Sequence, residues 1–65
     1  MKNSATKPMY ICRTDRQTGE NEVITLAEAV LLLSGNWHKD AIIPMLMDGE
    51  MLWTPYAEYS LYIAQ

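Results

Sequence analysis

The chain has 65 residues, a net charge of −3 at pH 7, and 49% hydrophobic against 20% charged residues. This length predicts a single domain over residues 1–65, and so apolar a composition excludes intrinsic disorder. Since Cys12 is the only cysteine and His38 the only histidine, an intrachain disulfide and a zinc site are excluded too.

The N-terminal third predicts a β-hairpin. Residues 1–7 are polar, and we expect them to be flexible. Residues 8–14 are rich in strand formers, and the polar segment 15–21 contains a glycine suited to a loop. Residues 22–25 would be the returning strand. No apolar stretch follows Lys2 as in a signal peptide, and no apolar run approaches the length of a bilayer, so we expect a cytoplasmic protein.

A first helix is predicted to begin after Thr25. Thr25 and Glu28 have the spacing of a capping box, in which each side chain accepts from the backbone amide of the other residue. Gly35 is well placed to end the helix in a left-handed conformation. The helix carries Leu31 and Leu32 in addition to its inner apolar face, which predicts packing on more than one side. In so small a chain the extra contact could come from the sheet or from a second subunit, and we expect a homodimer.

Residues 41–53 have two interpretations. In one, Asp40 caps a second helix and Gly49 follows its end. In the other, residues 45–47 and 50–53 form a hairpin around an Asp48-Gly49 turn. Pro44 and a second proline at position 55 would each weaken such a hairpin, so the helix is favoured.

The C-terminal residues predict a strand. Residues 57, 59, 61 and 63 are apolar or aromatic and alternate with more polar neighbours, a period of two that indicates a half-buried strand. The sequence as a whole therefore predicts an α+β fold with an N-terminal β-hairpin, two short helices and a C-terminal strand.

This order, and residues in four segments, resemble small winged helix-turn-helix proteins of the phage excisionase and MerR-like kind. The segments are 24–28, 40–47, 49–52 and 59–63. The resemblance implies that the second helix reads DNA, with Arg13, Arg16 and Lys39 contacting phosphates. The sequence departs from that pattern because residues 41–47, AIIPMLM, carry no charge, and Asp48 and Glu50 follow them. Such a surface would repel phosphate.

No residues point strongly to catalysis. Cys12, His38 and Asp40 contain the groups of a cysteine–histidine pair, but nothing in the sequence brings them together. Asp48 and Glu50 flank a glycine, yet two carboxylates do not make a cation site. Isolated glycines provide no phosphate-binding loop. We therefore expect no enzymatic activity, no cofactor and no metal.

The strongest functional signal is a group of aromatic and methionine residues near the C-terminus. Tryptophan and tyrosine are enriched at interface hot spots, and methionine adapts to irregular partner surfaces. Whether Trp53 belongs to the core or to an interface is open. The predicted protein-binding residues are Asp48, Glu50, Met51, Trp53, Tyr56 and Tyr59.

The sequence thus predicts a small acidic regulator or inhibitor that acts by binding another protein. Small size, acidity and lack of catalytic groups are typical of phage and prophage accessory proteins. The alternative is a winged-helix DNA-binding regulator. Nucleic acid is the less favoured partner because the pI is about 4.8 and residues 40–65 contain no lysine or arginine.

Overall fold

The computed structural model describes residues 9–63. Its elements are β1 (Tyr10–Asp15), β2 (Asn21–Thr25), α1 (Leu26–Leu33), α2 (Lys39–Met47), β3 (Leu52–Trp53) and β4 (Ala57–Tyr62). The predicted α+β class, hairpin, two helices and C-terminal strand are all confirmed, and β3 is one strand more than predicted. The segment predicted to be flexible, residues 1–7, lies outside the described residues.

The four strands form one antiparallel sheet in the order β2-β1-β4-β3. The β1–β2 hairpin pairs Ile11 with Ile24, and β4 returns to pair Leu61 with Ile11 from the other side. Aligned residues of neighbouring strands point to the same face of a sheet. The register therefore places the apolar alternation of the C-terminal strand on the same face as the buried residues of the hairpin.

The N-terminus of α1 has the predicted cap, with one difference. The Thr25 hydroxyl accepts from the Glu28 amide at 3.1 Å, which is the first half of the capping box. The Glu28 carboxylate accepts from the Thr25 hydroxyl at 3.4 Å rather than from the Thr25 amide. Thr25 ends β2 opposite Tyr10, so its backbone already belongs to the sheet. The helix therefore begins directly where the strand ends.

The C-terminus of α1 corrects the prediction for Gly35. Gly35 has no positive φ, and the helix ends at Leu33 with Ser34 still right-handed. The amides of Asn36 and Trp37 both donate to the Leu33 carbonyl, at 3.0 and 2.9 Å. A further turn of backbone hydrogen bonds thus satisfies the helix end, and no left-handed residue is needed.

The cap of α2 also differs from the prediction. His38, not Asp40, is the N-cap, and its Nδ1 accepts from the Asp40 amide at 3.2 Å. Asp40 lies within the first turn, where a carboxylate interacts favourably with the helix dipole. Pro44 lies in the second turn and removes the hydrogen bond to the Asp40 carbonyl. Because Asp40 is exposed, water can reach that carbonyl.

The end of α2 decides between the two interpretations of residues 41–53. Gly49 has φ +88°, and its amide donates to the Leu46 carbonyl at 3.1 Å. The Glu50 amide donates to the Met45 carbonyl, also at 3.1 Å. These two bonds, with a left-handed glycine between them, form a Schellman motif. Residue 49 therefore terminates a helix and does not form a hairpin turn.

Both helices pack on one face of the sheet. The buried apolar residues come from every element and form one cluster: Ile11, Ile24, Ala29, Leu33, Ile42, Leu46, Leu52, Ala57 and Tyr59. In the described part of the chain, no helix lies on the opposite face of the sheet. Within residues 9–63, neither helix is long and apolar enough to cross a membrane.

Many large apolar side chains stay outside this core. Eleven of those in residues 9–63 are more than 40% exposed, including Leu31 and Leu32 on the outer side of α1. Two layers of this size cannot hide them, because a short chain buries a small fraction of its surface. The exposed residues lie on the outer sides of both helices, on the open side of the sheet and around β3.

Candidate functional site

The predicted binding residues from 48 to 56 lie along one continuous segment. Asp48, Glu50 and Met51 connect α2 to β3, Trp53 ends β3, and Tyr56 lies in the turn to β4. Met51 and Trp53 are about half exposed, at 52% and 53%, and Tyr56 is 76% exposed. The structure therefore places three large side chains and two carboxylates of this segment at the surface.

Tyr59 is the exception, because the structure does not place it at the surface. It is 2% exposed and belongs to the core. Its hydroxyl accepts from Arg13 Nε at 3.2 Å, and the guanidinium carbon lies 5.9 Å from its ring centre. In β4 it faces the same way as Ala57, toward the helices. The period-two pattern of the strand indicated this placement, and proximity to Tyr56 in sequence was the misleading signal.

Trp37 supports Trp53, and sequence reasoning missed it. The Trp37 indole Nε1 donates to the Trp53 carbonyl at 2.8 Å. The two rings meet edge to face, with centres 6.4 Å apart and planes at 89°. Trp37 itself packs against the core from the connection between the helices. The sequence shows only that a tryptophan lies in the short segment between the helices. It does not show that this tryptophan contacts Trp53.

The turn after Trp53 is held by side-chain hydrogen bonds. Thr54 is 3% exposed, and its hydroxyl accepts from the amides of Tyr56 and Ala57, each at 3.1 Å. The Thr54 carbonyl accepts from Arg16 Nη1 at 3.2 Å. The backbone that carries Trp53 and Tyr56 is therefore fixed before any partner binds, which lowers the entropy cost of binding.

Two shallow depressions share Trp53 as a wall. One has a volume of about 300 Å³ and is lined by Asn36, Trp37 and Trp53. The other, of about 230 Å³, is lined by Arg16, Trp53 and Glu58. Their sizes lie at or below the lower end for small-molecule sites, roughly 300–1,000 Å³. Such depressions suit single side chains of a partner better than an enclosed ligand.

The three basic residues of the DNA-binding alternative lie on different elements. Arg13 is in β1, where it bonds Tyr59 and lies 3.9 Å from the Glu22 carboxylate. The hydrogen bond to Tyr59 raises the pKa of Arg13 above its usual value. Arg16 is in the β1–β2 loop and donates to a backbone carbonyl, and Lys39 begins α2. The Arg13 guanidinium therefore already interacts with Tyr59 and Glu22 within the fold.

The residues weighed for catalysis have separate roles. Cys12 lies in the middle of β1, whereas His38 caps α2 and bonds the amide of Asp40. Asp48 is the C-cap of α2, and the Glu50 amide donates to the Met45 carbonyl in the Schellman motif that ends this helix. Within residues 9–63, no three His, Cys, Asp or Glu side chains converge as a metal site requires.

The geometry defines a two-layer α+β protein that displays a supported tryptophan at the edge of its sheet. No protein family matches the chain, and neither curated proteins nor solved structures give a match.

Proposed function

We propose that the protein is a small regulator or inhibitor that acts by binding another protein through the surface around Trp53. We call this the Trp53 surface, and it comprises Asp48, Glu50, Met51, Trp53 and Tyr56. The observation that carries the proposal is the state of Trp53 itself. The residue is 53% exposed, yet its backbone is held by the Trp37 indole and by the ordered turn that follows.

The physical argument rests on the cost of exposing such a group. A large aromatic ring is normally buried, and its exposure loses favourable transfer free energy. Rigid aromatic side chains beside shallow depressions are typical of binding hot spots, because little conformational entropy is lost on contact. Met51 and Tyr56 extend the apolar area on either side along the chain.

Charge favours protein over nucleic acid as the partner. Asp48 and Glu50 border the surface, and residues 40–65 contain no lysine or arginine. Arg16 lines one depression beside Trp53, but its Nη1 donates to the Thr54 carbonyl. The carboxylates would repel a phosphate backbone, whereas they would attract a protein surface with basic groups at its rim. The competing hypothesis, duplex DNA binding, would need Arg13, Arg16 and Lys39 to face one phosphate backbone together. Arg13 already bonds Tyr59.

The test compares two truncations of exposed apolar side chains. Tagged wild type, Trp53→Ala and Leu31→Ala are used to capture proteins from the source cell, and captured proteins are quantified by mass spectrometry. Leu31 is the matched control because it is 75% exposed and lies on α1. Thermal midpoints establish that each variant is folded.

We expect a protein that wild type and Leu31→Ala retain equally and that folded Trp53→Ala loses. When that protein is purified, Trp53→Ala should weaken its binding free energy by about 2 kcal/mol or more, the scale of a hot spot. Equal capture by all three would refute the proposal.

A second arm tests the DNA alternative. Fluorescence anisotropy measures binding of a labelled duplex by wild type and by the double variant Asp48→Lys/Glu50→Lys. Wild-type binding that weakens steeply between roughly 50 and 200 mM salt would favour the DNA-binding function. DNA binding by the double variant alone would indicate a winged-helix ancestry whose DNA surface has become acidic.

A further inference from the structure

The face of the sheet turned away from the helices has an uncharged, partly apolar centre. Strand alternation and register put Tyr10, Cys12, Val23, Ser60 and Tyr62 on it, and we call these five residues the open face. Tyr10 is paired with Tyr62, and Cys12 lies between Val23 and Ser60. Tyr10, Val23 and Tyr62 are each 41–49% exposed.

We propose that the open face is the interface of a homodimer, in which the sheets of two copies pack face to face. This interface adjoins the proposed Trp53 surface, because Trp53 is paired with Glu58 on the same side of the sheet. The proposal rests on residues of β1, β2 and β4 and stands whether or not Trp53 binds a partner. Its occupant is a second copy of this chain.

The distribution of charge argues for a second copy. In a two-fold symmetric dimer, the same surface patch of both copies forms the interface. An acidic patch would therefore face the identical acidic patch of the other copy. The chain carries −3, and the Trp53 surface includes Asp48 and Glu50, which would repel their copies. None of the five residues of the open face is charged.

Most residues that border the open face on β1, β2 and β4 are uncharged as well. Thr14, Asn21 and Thr25 share the face, and Glu58 is the one charged residue on it, at the end of β4 nearest Trp53. Two copies can therefore meet across this part of residues 9–63 with little like-charge repulsion, although 20% of the chain is charged. The apolarity of α1 suggested a second subunit against Leu31 and Leu32. Those residues form a narrower patch with Glu28 one turn from Leu32, so we place the dimer interface on the open face instead.

The size of the open face predicts a weak dimer. Three strands spaced about 4.8 Å apart and about 20 Å long give roughly 300 Å² of projected area per copy. Stable dimers bury about 800 Å² of accessible surface per partner, so this interface falls in the weak, reversible class. We expect dissociation in the micromolar range, where monomer and dimer coexist.

The experiment is sedimentation equilibrium on wild type, Val23→Lys and Leu31→Lys over a range of micromolar concentrations. Both substitutions add one lysine at an exposed apolar position, one on the open face and one on α1. A lysine is tolerated on an edge strand such as β2, and far-UV circular dichroism checks folding. We expect wild type and Leu31→Lys to dimerise equally and Val23→Lys to lose at least tenfold in affinity.

Cys12 gives a second measurement on the unaltered protein. As the central residue of the open face, it should react with a thiol reagent more slowly as protein concentration rises through the dimerisation range. Monomeric wild type at high micromolar concentration would overturn the proposal, and so would a dimer unaffected by Val23→Lys. A Cys12 rate independent of concentration would overturn it as well, since another segment of the chain or no segment would then cover the face.

Discussion

Replacing two glycines by alanine should change stability in opposite directions. Gly49 ends α2 with φ +88°, whereas Gly35 follows α1 without a positive φ. At both positions a new Cβ would have no heavy atom within 4 Å, so packing contributes to neither change. The two substitutions therefore isolate backbone conformation.

The magnitudes follow from the two conformations. A non-glycine residue held in the left-handed region costs about 1–2 kcal/mol. Part of this is offset because alanine restricts the unfolded chain, an effect of about 0.4–1 kcal/mol. Gly49→Ala should thus lower the free energy of unfolding by about 1 kcal/mol. Gly35→Ala incurs no left-handed cost and only restricts the unfolded chain. It should therefore raise the free energy of unfolding by about 0.5 kcal/mol.

Thermal and urea unfolding followed by circular dichroism measure both effects. In a domain of this size, about 1 kcal/mol corresponds to roughly 4–8 °C in Tm. The variants should therefore differ from each other by about 6–12 °C, with wild type between them. All three are compared at one protein concentration, because self-association would shift the midpoint. If Gly35→Ala is destabilised as much as Gly49→Ala, the assignment of the left-handed cap to α2 alone is incorrect.

Three further substitutions test the supports of the fold. Thr25→Ala removes the acceptor of the Glu28 amide and should cost about 1 kcal/mol, whereas Thr25→Ser should cost little; equal urea midpoints for Thr25→Ala and wild type would mean that the cap is not formed. Hydrogen bonds from the Thr18 and Gln17 amides lower the pKa of Asp15 below 3.8, so its contribution to stability is present above that pH and is lost as pH falls toward the folded pKa. Asp15→Asn should therefore lose less stability than wild type between about pH 5 and 2, and identical acid titrations of stability would contradict this. Trp37→Phe keeps an aromatic ring but removes the donor to the Trp53 carbonyl; we expect a loss of about 1 kcal/mol in urea unfolding, and an unchanged midpoint would show that the bond contributes nothing.

The local structure of this protein could be predicted from sequence because it depends on neighbouring residues. The N-cap of α1 needs only Thr25 and an amide three residues later, and the alternation of residues 57–62 shows a strand with one buried side. Such signals predicted the hairpin, both helices and the C-terminal strand. They also predicted that α1 carries apolar side chains outside its inner face, and Leu31 and Leu32 are exposed.

Other outcomes depended on contacts between residues far apart in the chain. Tyr59 lies in the core and accepts a hydrogen bond from Arg13, which is 46 positions away, while Trp53 stays at the surface beside Trp37. Both Tyr59 and Trp53 are aromatic residues in strands. Alternation along β4 puts Tyr59 on the face that the helices cover, whereas the pairing of β3 with β4 puts Trp53 on the other face. Composition cannot distinguish them because burial is a property of the assembled layers.

The ends of the two helices also depend partly on neighbouring residues and partly on tertiary contacts. A glycine after an apolar helix is a good candidate for a left-handed cap, and both Gly35 and Gly49 fit that pattern. The choice between them depended on where the chain had to go next. After α1 the chain turns through hydrogen bonds to Leu33 toward Trp37 and its contact with β3, whereas after α2 it must reverse to enter β3. The sequence therefore determined which segments form helices and strands. The tertiary structure decided how each segment ends and which side chains remain available for binding, because those features are set by the packing of the two layers.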